Sequence, residues 1–297
     1  MRRHGNAPLP GPPRSPRGPP APRPRCCTRP IFGTVTSAPA ALAWRHLVSP
    51  PLAGAANMAW DQALMARARR TGEAVLRVYQ WDGPTLSLGR NQTARGAYDL
   101  GRAAALGVGF VRRPTGGRAL LHYHEVTYSV TAPEAFDPTL RGAYDRINRL
   151  LLHALHALGV DARLSAGQGP ALTPGLAPCF DQPAAGEIVV GDRKLVGSAQ
   201  WRHDGALLQH GSILLADDQA LIDELLRERR PTVTPPAASL DVVLGQAPPF
   251  ARVAHALVSA LHALSPVAEP LDVDKALRRD VDAATRDFRD ERWTWRR

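Results

Sequence analysis

The chain is predicted to fold as an α+β domain of mixed β-sheets flanked by helices, and three observations predict it. Strand-like and helix-like segments are interspersed without the strict alternation that a doubly wound sheet requires. The segment Arg141 to Leu158 sets Ile147, Leu150, Leu151, Leu155 and Leu158 at the spacing of one helical face. Glu187 to Val190 and Arg193 to Ala199 flank Gly191-Asp192, which has the Gly-first chemistry of a two-residue hairpin turn.

Taken in order, residues 1–40 are Pro, Arg, Gly and Ala with almost no large apolar side chains. They cannot bury enough surface to offset their ordering entropy and are expected to form a disordered tail. Residues 41–297 are expected to form a single domain, since a chain of 297 residues that is 44% hydrophobic can bury a full core. Leu42 to Leu47 reads as a strand, and Asn57 caps a helix running to about Arg70 that ends near Gly72. Leu76 to Tyr79 and Thr85 to Leu88 are strands around the turn Asp82-Gly83-Pro84. A helix from Tyr98 to Leu106 leads to the strand Val108 to Arg112, the glycine loop Thr115-Gly116-Gly117-Arg118, and the strand Glu125 to Thr131. After the helix and hairpin already described come a strand from Leu207 to Leu215 and helices at Asp218 to Arg229, Phe250 to Leu264 and Lys275 to Glu291. The chain contains no internal repeat.

Composition narrows the functional classes. No run of about 18 apolar residues occurs, so no membrane-spanning helix is expected, and the N-terminus lacks the apolar stretch of a secretory signal. Three cysteines, two of them adjacent at Cys26 and Cys27, do not make a disulfide framework. A reducing, cytoplasmic setting is expected. The net charge of +10 is mostly the tail's, because seven arginines and no acid lie in residues 1–40 and leave the body about +3. No zinc-ligand spacing, helix-turn-helix pattern or aromatic-basic sheet motif accompanies it, so nucleic acid is not an expected partner. A mildly basic body suits acidic protein partners.

Cys179 is the single cysteine of the predicted domain. An isolated cysteine is ordinarily core filler. Here Pro178 before it and Asp181-Gln182-Pro183 after it make a loop, where a thiol can serve as a nucleophile. Strand alternation places Lys194, Val196 and Ser198 on one face of the hairpin, so Lys194 either stands in solvent or, if that face meets a cleft, points inward. An inward ammonium near Cys179 would favour the thiolate. Arg112 to Arg118 lacks the spacing of a P-loop or dinucleotide fingerprint. Gly116 and Gly117 are either a plain turn or a place where backbone N–H groups approach a ligand, with Arg113 and Arg118 close by for an anionic group. His122 and His124, at i and i+2 on one face of an extended segment, lack a third ligand at telling spacing, so no metal site is expected. His210 precedes the small pair Gly211-Ser212, which leaves room for a ligand.

Five segments in this order, NMAWDQAL from Asn57, PTLSLGRNQ from Pro84, RRPTGGRALLHYHEVTYSV from Arg112, the run CF…EIVVGDRKLVGSAQWR from Cys179, and LQHGSILL from Leu208, resemble the catalytic domain shared by lipoate-protein ligases, biotin ligases and octanoyltransferases. The resemblance implies the biotin/lipoate protein ligase-like fold, akin to class II aminoacyl-tRNA synthetases. Within the family the chain is similar to the cysteine-dependent octanoyltransferases that work with acyl carrier protein. That likeness implies an acyl thioester on Cys179, activated by Lys194 fifteen residues later, with Arg113, Gly116, Gly117 and a turn at Gly197-Ser198-Ala199 bordering the acyl site. It also implies octanoyl-acyl carrier protein as donor, a lipoyl-domain acceptor such as the glycine cleavage H protein, and no cofactor beyond the phosphopantetheine that the carrier brings. The family contains rivals: an ATP-dependent lipoate ligase needs no cysteine, an amidotransferase uses the same cysteine and lysine, and a degenerate member only binds acylated carriers. The roughly 80 residues after Leu215 read as helices rather than as a ligase's extra domain, which favours the transferase. Ala184-Ala185-Gly186 stands where close relatives carry a bulky residue, which bears on acyl chain length.

Overall fold

A computed structural model of the chain describes residues 42–166, 185–228 and 236–297. The predicted strands assemble around one large sheet. β1 (Trp44–Val48) pairs in parallel with β2 (Ala74–Tyr79) after α1 (Gly54–Thr71) crosses between them. β3 (Thr85–Leu88), α2 (Leu100–Ala105), β4 (Gly109–Arg112) and β5 (Leu120–His122) come next, and the three strands form a small separate sheet in the order β4-β3-β5. β6 (Glu125–Pro133), the amphipathic α3 (Leu140–Ala157), β7 (Arg163–Leu164), β8 (Ile188–Val190), β9 (Arg193–His203) and β10 (Ala206–Leu214) return the chain to the large sheet. The short α4 (Leu221–Leu225) and α5 (Leu240–Leu244), then α6 (Phe250–Leu264), the edge strand β11 (Glu269–Pro270), α7 (Lys275–Arg289) and α8 (Glu291–Thr294) complete it. The large sheet runs β11-β1-β2-β6-β10-β9-β8-β7, parallel at the β11-β1-β2 end and antiparallel elsewhere.

Each face of this sheet is covered because its strands carry apolar side chains on both sides. On one face Leu76, Val78, Val126, Tyr128 and Val130 meet α3 through Ile147, Leu150, Leu151 and Leu155, and α6 through Val253, Leu257 and Leu261. The helical face read from the sequence is therefore the buried one. On the other face Val75 and Tyr79 meet Met58 and Leu64 of α1, which α7 backs with Leu277, Val281 and Phe288. The small sheet closes over its own core, in which Leu86, Leu88 and Leu121 pack with Ile222 and Leu225 of α4.

Several local expectations are corrected. Asn57 is not a cap; α1 begins at Gly54, and the fully buried Asn57 amide donates to Leu52 O and Gln80 O at 3.0 and 3.1 Å. The helix expected from Tyr98 starts at Leu100, capped by Asp99 accepting from the Arg102 N–H, because Tyr98 forms a bridge with Leu226. The same bridge stops the helix expected over Asp218 to Arg229: Leu226 is extended and Arg227 N–H donates to Ala97 O. Gly197-Ser198-Ala199 is not a turn but the middle of β9, hydrogen-bonded in register with Ser212, Gly211 and His210. The predicted hairpin turn at Gly191 is present, with Gly191 at φ 58° as a Gly-first turn requires.

Candidate active site

Where the small sheet and α1 meet the large sheet they leave a cavity that opens to solvent, about 420 Å3 with its open mouth included. Of the residues singled out in the sequence, Arg113, Gly117, Gly197, Ser198, Ala199 and His210 line it. Glycine makes two of the close approaches. A Cβ on Gly211 would lie 2.4 Å from Gly197 O and 2.8 Å from Ser198 Oγ, so β9 and β10 press together here with no side chain between them. Gly117, at φ 97°, brings its backbone to the cavity in a conformation that other residues rarely adopt. β8 pairs with β9 only as far as Val196. From Gly197 onward that edge of β9 has no strand partner among the described residues.

Gly116 and Arg118 do not line the cavity; they hold its wall. Arg113 donates from Nε and Nη2 to Gly116 O at 3.2 and 2.9 Å, from Nη2 to Arg118 O at 2.7 Å, and from Nη1 to Ser87 O and Oγ at 3.0 Å each. A guanidinium spent this way on carbonyls fixes the glycine loop. It is less an anion receptor, as the sequence suggested, than a brace. Behind it Ser87 Oγ lies 2.8 Å from His122 Nε2, and His122 Nδ1 lies 2.8 Å from Glu125 Oε1. The carboxylate assigns the ring proton to Nδ1, so Nε2 accepts from Ser87, whose oxygen accepts from Arg113. These three residues have the connectivity of a serine-histidine-acid triad, but Ser87 is fully buried and does not line the cavity. They orient Arg113. His122 itself lines the cavity, stacked at 3.9 Å on Trp81, whose Nε1–H donates to Thr127. His124, expected on the same face, is exposed and faces Asp218 instead, because the chain turns at Tyr123.

His210 is fixed at both ring nitrogens, by Thr115 Oγ1 at 2.7 Å from Nε2 and Asp61 Oδ2 at 2.9 Å from Nδ1. Asp61 is fully buried at the centre of a polar cluster, accepting from Arg77 at 3.1 Å, Tyr79 at 3.1 Å and Ser129 at 2.8 Å. Burial alone would raise its carboxyl, but the hydrogen bond to His210 and the charge of Arg77 hold it below the ordinary carboxylate value. Burial pushes His210 below the ordinary imidazole value, against the pull of Asp61. The ring is therefore a neutral, oriented wall of the cavity at pH 7. On the facing strand, Tyr128 OH accepts from Gln209 Nε2 at 2.8 Å and lies 2.8 Å from Ser198 Oγ. The phenol can give its proton to Ser198, leaving the serine hydrogen for a bound oxygen.

Lys194 points inward, the alternative in which its strand face meets the interior. Its ammonium is buried and donates to Glu187 Oε1 at 2.6 Å, across the hairpin. It does not line the cavity itself; it enters β9 three residues before Gly197. Cys179 lies outside the described residues. Among the described residues no group of His, Cys, Asp and Glu is placed to hold a metal ion, and no helix is long and apolar enough to cross a membrane. Sequence reasoning missed Asp61, Glu187 and the His122-Glu125 pair. Glu187 carried a signal, as an acid diagonal to a lysine across a two-residue turn; Asp61 carried none, since its partners come from three separate strands.

With this geometry in hand, residues 53–262 match the family described as the lipoyl protein ligase A/B catalytic domain. The chain is 39% identical over 272 residues to octanoyltransferase LipM of Kyrpidia tusciae, covering 86% of this chain and 99% of that one. It is 34% identical over 273 residues to octanoyltransferase LipM of Exiguobacterium sibiricum, with the same coverage. Its fold superposes on the bipartite lipoate protein ligase of Thermoplasma acidophilum, solved with its E2 lipoyl domain, with a TM-score of 0.68 at 18% identity, covering 86% of this chain and 97% of that one. The chain belongs to the lipoyl protein ligase A/B catalytic domain family, and it is octanoyltransferases of that family that its sequence resembles across nearly their whole length.

Proposed function

We propose that this chain, an acyltransferase of lipoate biosynthesis, moves an octanoyl group from the thioester of acyl carrier protein to a lysine amine of a lipoyl domain, through a thioester on Cys179. The observation that carries this reading is Lys194: a buried ammonium, paired with Glu187, at the start of the strand whose Gly197, Ser198 and Ala199 line the cavity. A fixed cation beside a thiol favours the thiolate.

The Cys179 thiolate attacks the donor carbonyl, and the carrier's phosphopantetheine thiol leaves as the octanoyl-cysteine thioester forms. The acceptor lysine, as the free amine, attacks that thioester. The cysteine sulfur leaves, and the proton lost from nitrogen passes to sulfur or to solvent. Thioester to amide is downhill, so no ATP is needed. Ser198 and the backbone of Gly117, both of which line the cavity, are the candidate donors for the developing oxyanion. Two half-reactions on one nucleophile give ping-pong kinetics.

The test is intact-protein mass spectrometry after mixing the chain with octanoyl-acyl carrier protein in the absence of ATP. A hydroxylamine-sensitive octanoyl adduct on the wild type that vanishes in Cys179→Ala is the expected result. Transfer that survives Cys179→Ala and requires ATP overturns it in favour of a ligase.

A further inference from the structure

Two arginines beside the cavity are unexplained by this chemistry. Arg90 directly follows Gly89, which packs so closely on the glycine loop that a Cβ there would lie 1.9 Å from Gly117 O. Its own N–H donates to Thr115 O at 2.8 Å. Arg90 is thus attached to the loop that walls the cavity. Its guanidinium stacks 4.8 Å from the Trp201 ring and 5.9 Å from the Trp293 ring. Trp201 stands two residues beyond Ala199 on β9, on the same side of the strand, so this frame continues the cavity wall outward. Arg296 lies 4.1 Å over the other indole, Trp293, and its Nη2 donates to Arg90 O at 2.5 Å.

Arg296 is costly where it stands. Among the described residues neither Arg90 nor Arg296 has a carboxylate partner, and the Nε of Arg296 is buried with no acceptor at all. Burial, Arg90 and Arg297 together lower the Arg296 pKa. Arg112 beneath them is brought down to about 10, by burial first and then by Arg296, Arg113 and Arg297. Indole faces hold two guanidiniums in place, with one N–H group of Arg296 given to Arg90 O. Two guanidiniums gathered on the indoles, with an orphaned donor among them, suit an anionic group.

We propose that Arg90 and Arg296, framed by Trp201 and Trp293, form an anion subsite at the rim of the cavity that takes the phosphate of the donor's phosphopantetheine arm. The proposal rests on the reading that the donor is an acyl carrier protein. A thioester seated at Gly197 to Ala199 sends its arm outward along β9, past Trp201, and planar guanidinium forks suit phosphate oxygens.

The experiment compares two minimal donors, S-octanoyl-4′-phosphopantetheine and S-octanoyl-pantetheine, with a lipoyl-domain acceptor. In the wild type the phosphorylated donor is expected to have a kcat/KM higher by roughly tenfold or more, the worth of a charge-assisted contact. Arg90→Gln and Arg296→Gln should each shrink that ratio, and the double variant should bring it to about one. Arg90→Lys, which keeps the charge, should retain part of it. A ratio of one in the wild type overturns the subsite, as does an equal loss on both donors in the variants, or a rise confined to the acceptor's KM, which would assign the arginines to the acceptor's carboxylates. Absence of transfer from either donor and from octanoyl-acyl carrier protein in the wild type removes the reading of the reaction itself, and the subsite with it.

Discussion

His210 shows how burial selects one protonation state. Its value in the folded chain lies below 6.5, so as pH falls the unfolded chain takes up this proton first. Its contribution to stability is complete above that value and is lost on acidification. Asp61 works in the same direction further down: its folded value lies below 3.8, so its contribution is present above 3.8 and disappears as pH falls through the folded value. The urea midpoint of the wild type should therefore drop between pH 7 and pH 5. In His210→Asn the drop should be shallower, with a remainder from His46, which burial and His262 also push down. A slope unchanged by the substitution would show that folding does not shift the His210 pKa.

The β9-β10 pair shapes the cavity wall at the scale of elements, through close backbone approach. Gly211 faces Ser198 across the ladder. An added Cβ would meet Gly197 O at 2.4 Å, Ser198 Oγ at 2.8 Å and the Tyr128 ring at 2.9 Å. Backbone cannot yield as a long side chain does, so the strands must separate. Gly211→Ala should cost about 1–3 kcal/mol, the usual cost of overpacking, and should displace Ser198 from the cavity. Chemical denaturation reads the first effect, and formation of the octanoyl adduct reads the second. Retained acylation at full rate would remove the ladder from the mechanism.

Across the whole molecule, residues from opposite ends of the chain meet around Arg112. Fully buried, it donates to Gly89 O at 2.6 Å, Gln92 O at 2.8 Å and Thr294 O at 2.8 Å. Trp293 Nε1–H returns a bond to Arg112 O, and Ala94 and Arg95 N–H groups both donate to Arg297 O. The segment after α7 is thereby tied to the loop that backs the cavity. Arg112→Met leaves Gln92 O and Thr294 O without this donor while Gly89 O keeps the Gln92 N–H, at about 1–3 kcal/mol for each buried group left unpaired. Amide exchange should rise together over residues 89–95 and 293–297. Exchange that rises in only one of the two segments would mean that they are not coupled through Arg112.

Local pattern was enough for the fold class, the α3 face at Ile147 to Leu155 and the hairpin at Gly191, because each depends on periodicity or turn chemistry within a few residues, whereas it left Lys194 open between solvent and interior. The family was also legible, since its five segments keep their order. What the sequence could not supply were partnerships across distance. Asn57 has the side chain of a cap, yet it is spent on Leu52, Gln80 and Arg77. Gly197 to Ala199 has turn composition, yet pairing with β10 keeps it extended. Arg113 reads as an anion receptor, yet the loop it braces uses its donors. The sequence by itself determined the fold class, the family and most of the elements that wall the cavity. Tertiary structure decided what each buried charge is paired with, because a guanidinium or carboxylate removed from water takes whichever partners the packing of distant segments brings within reach.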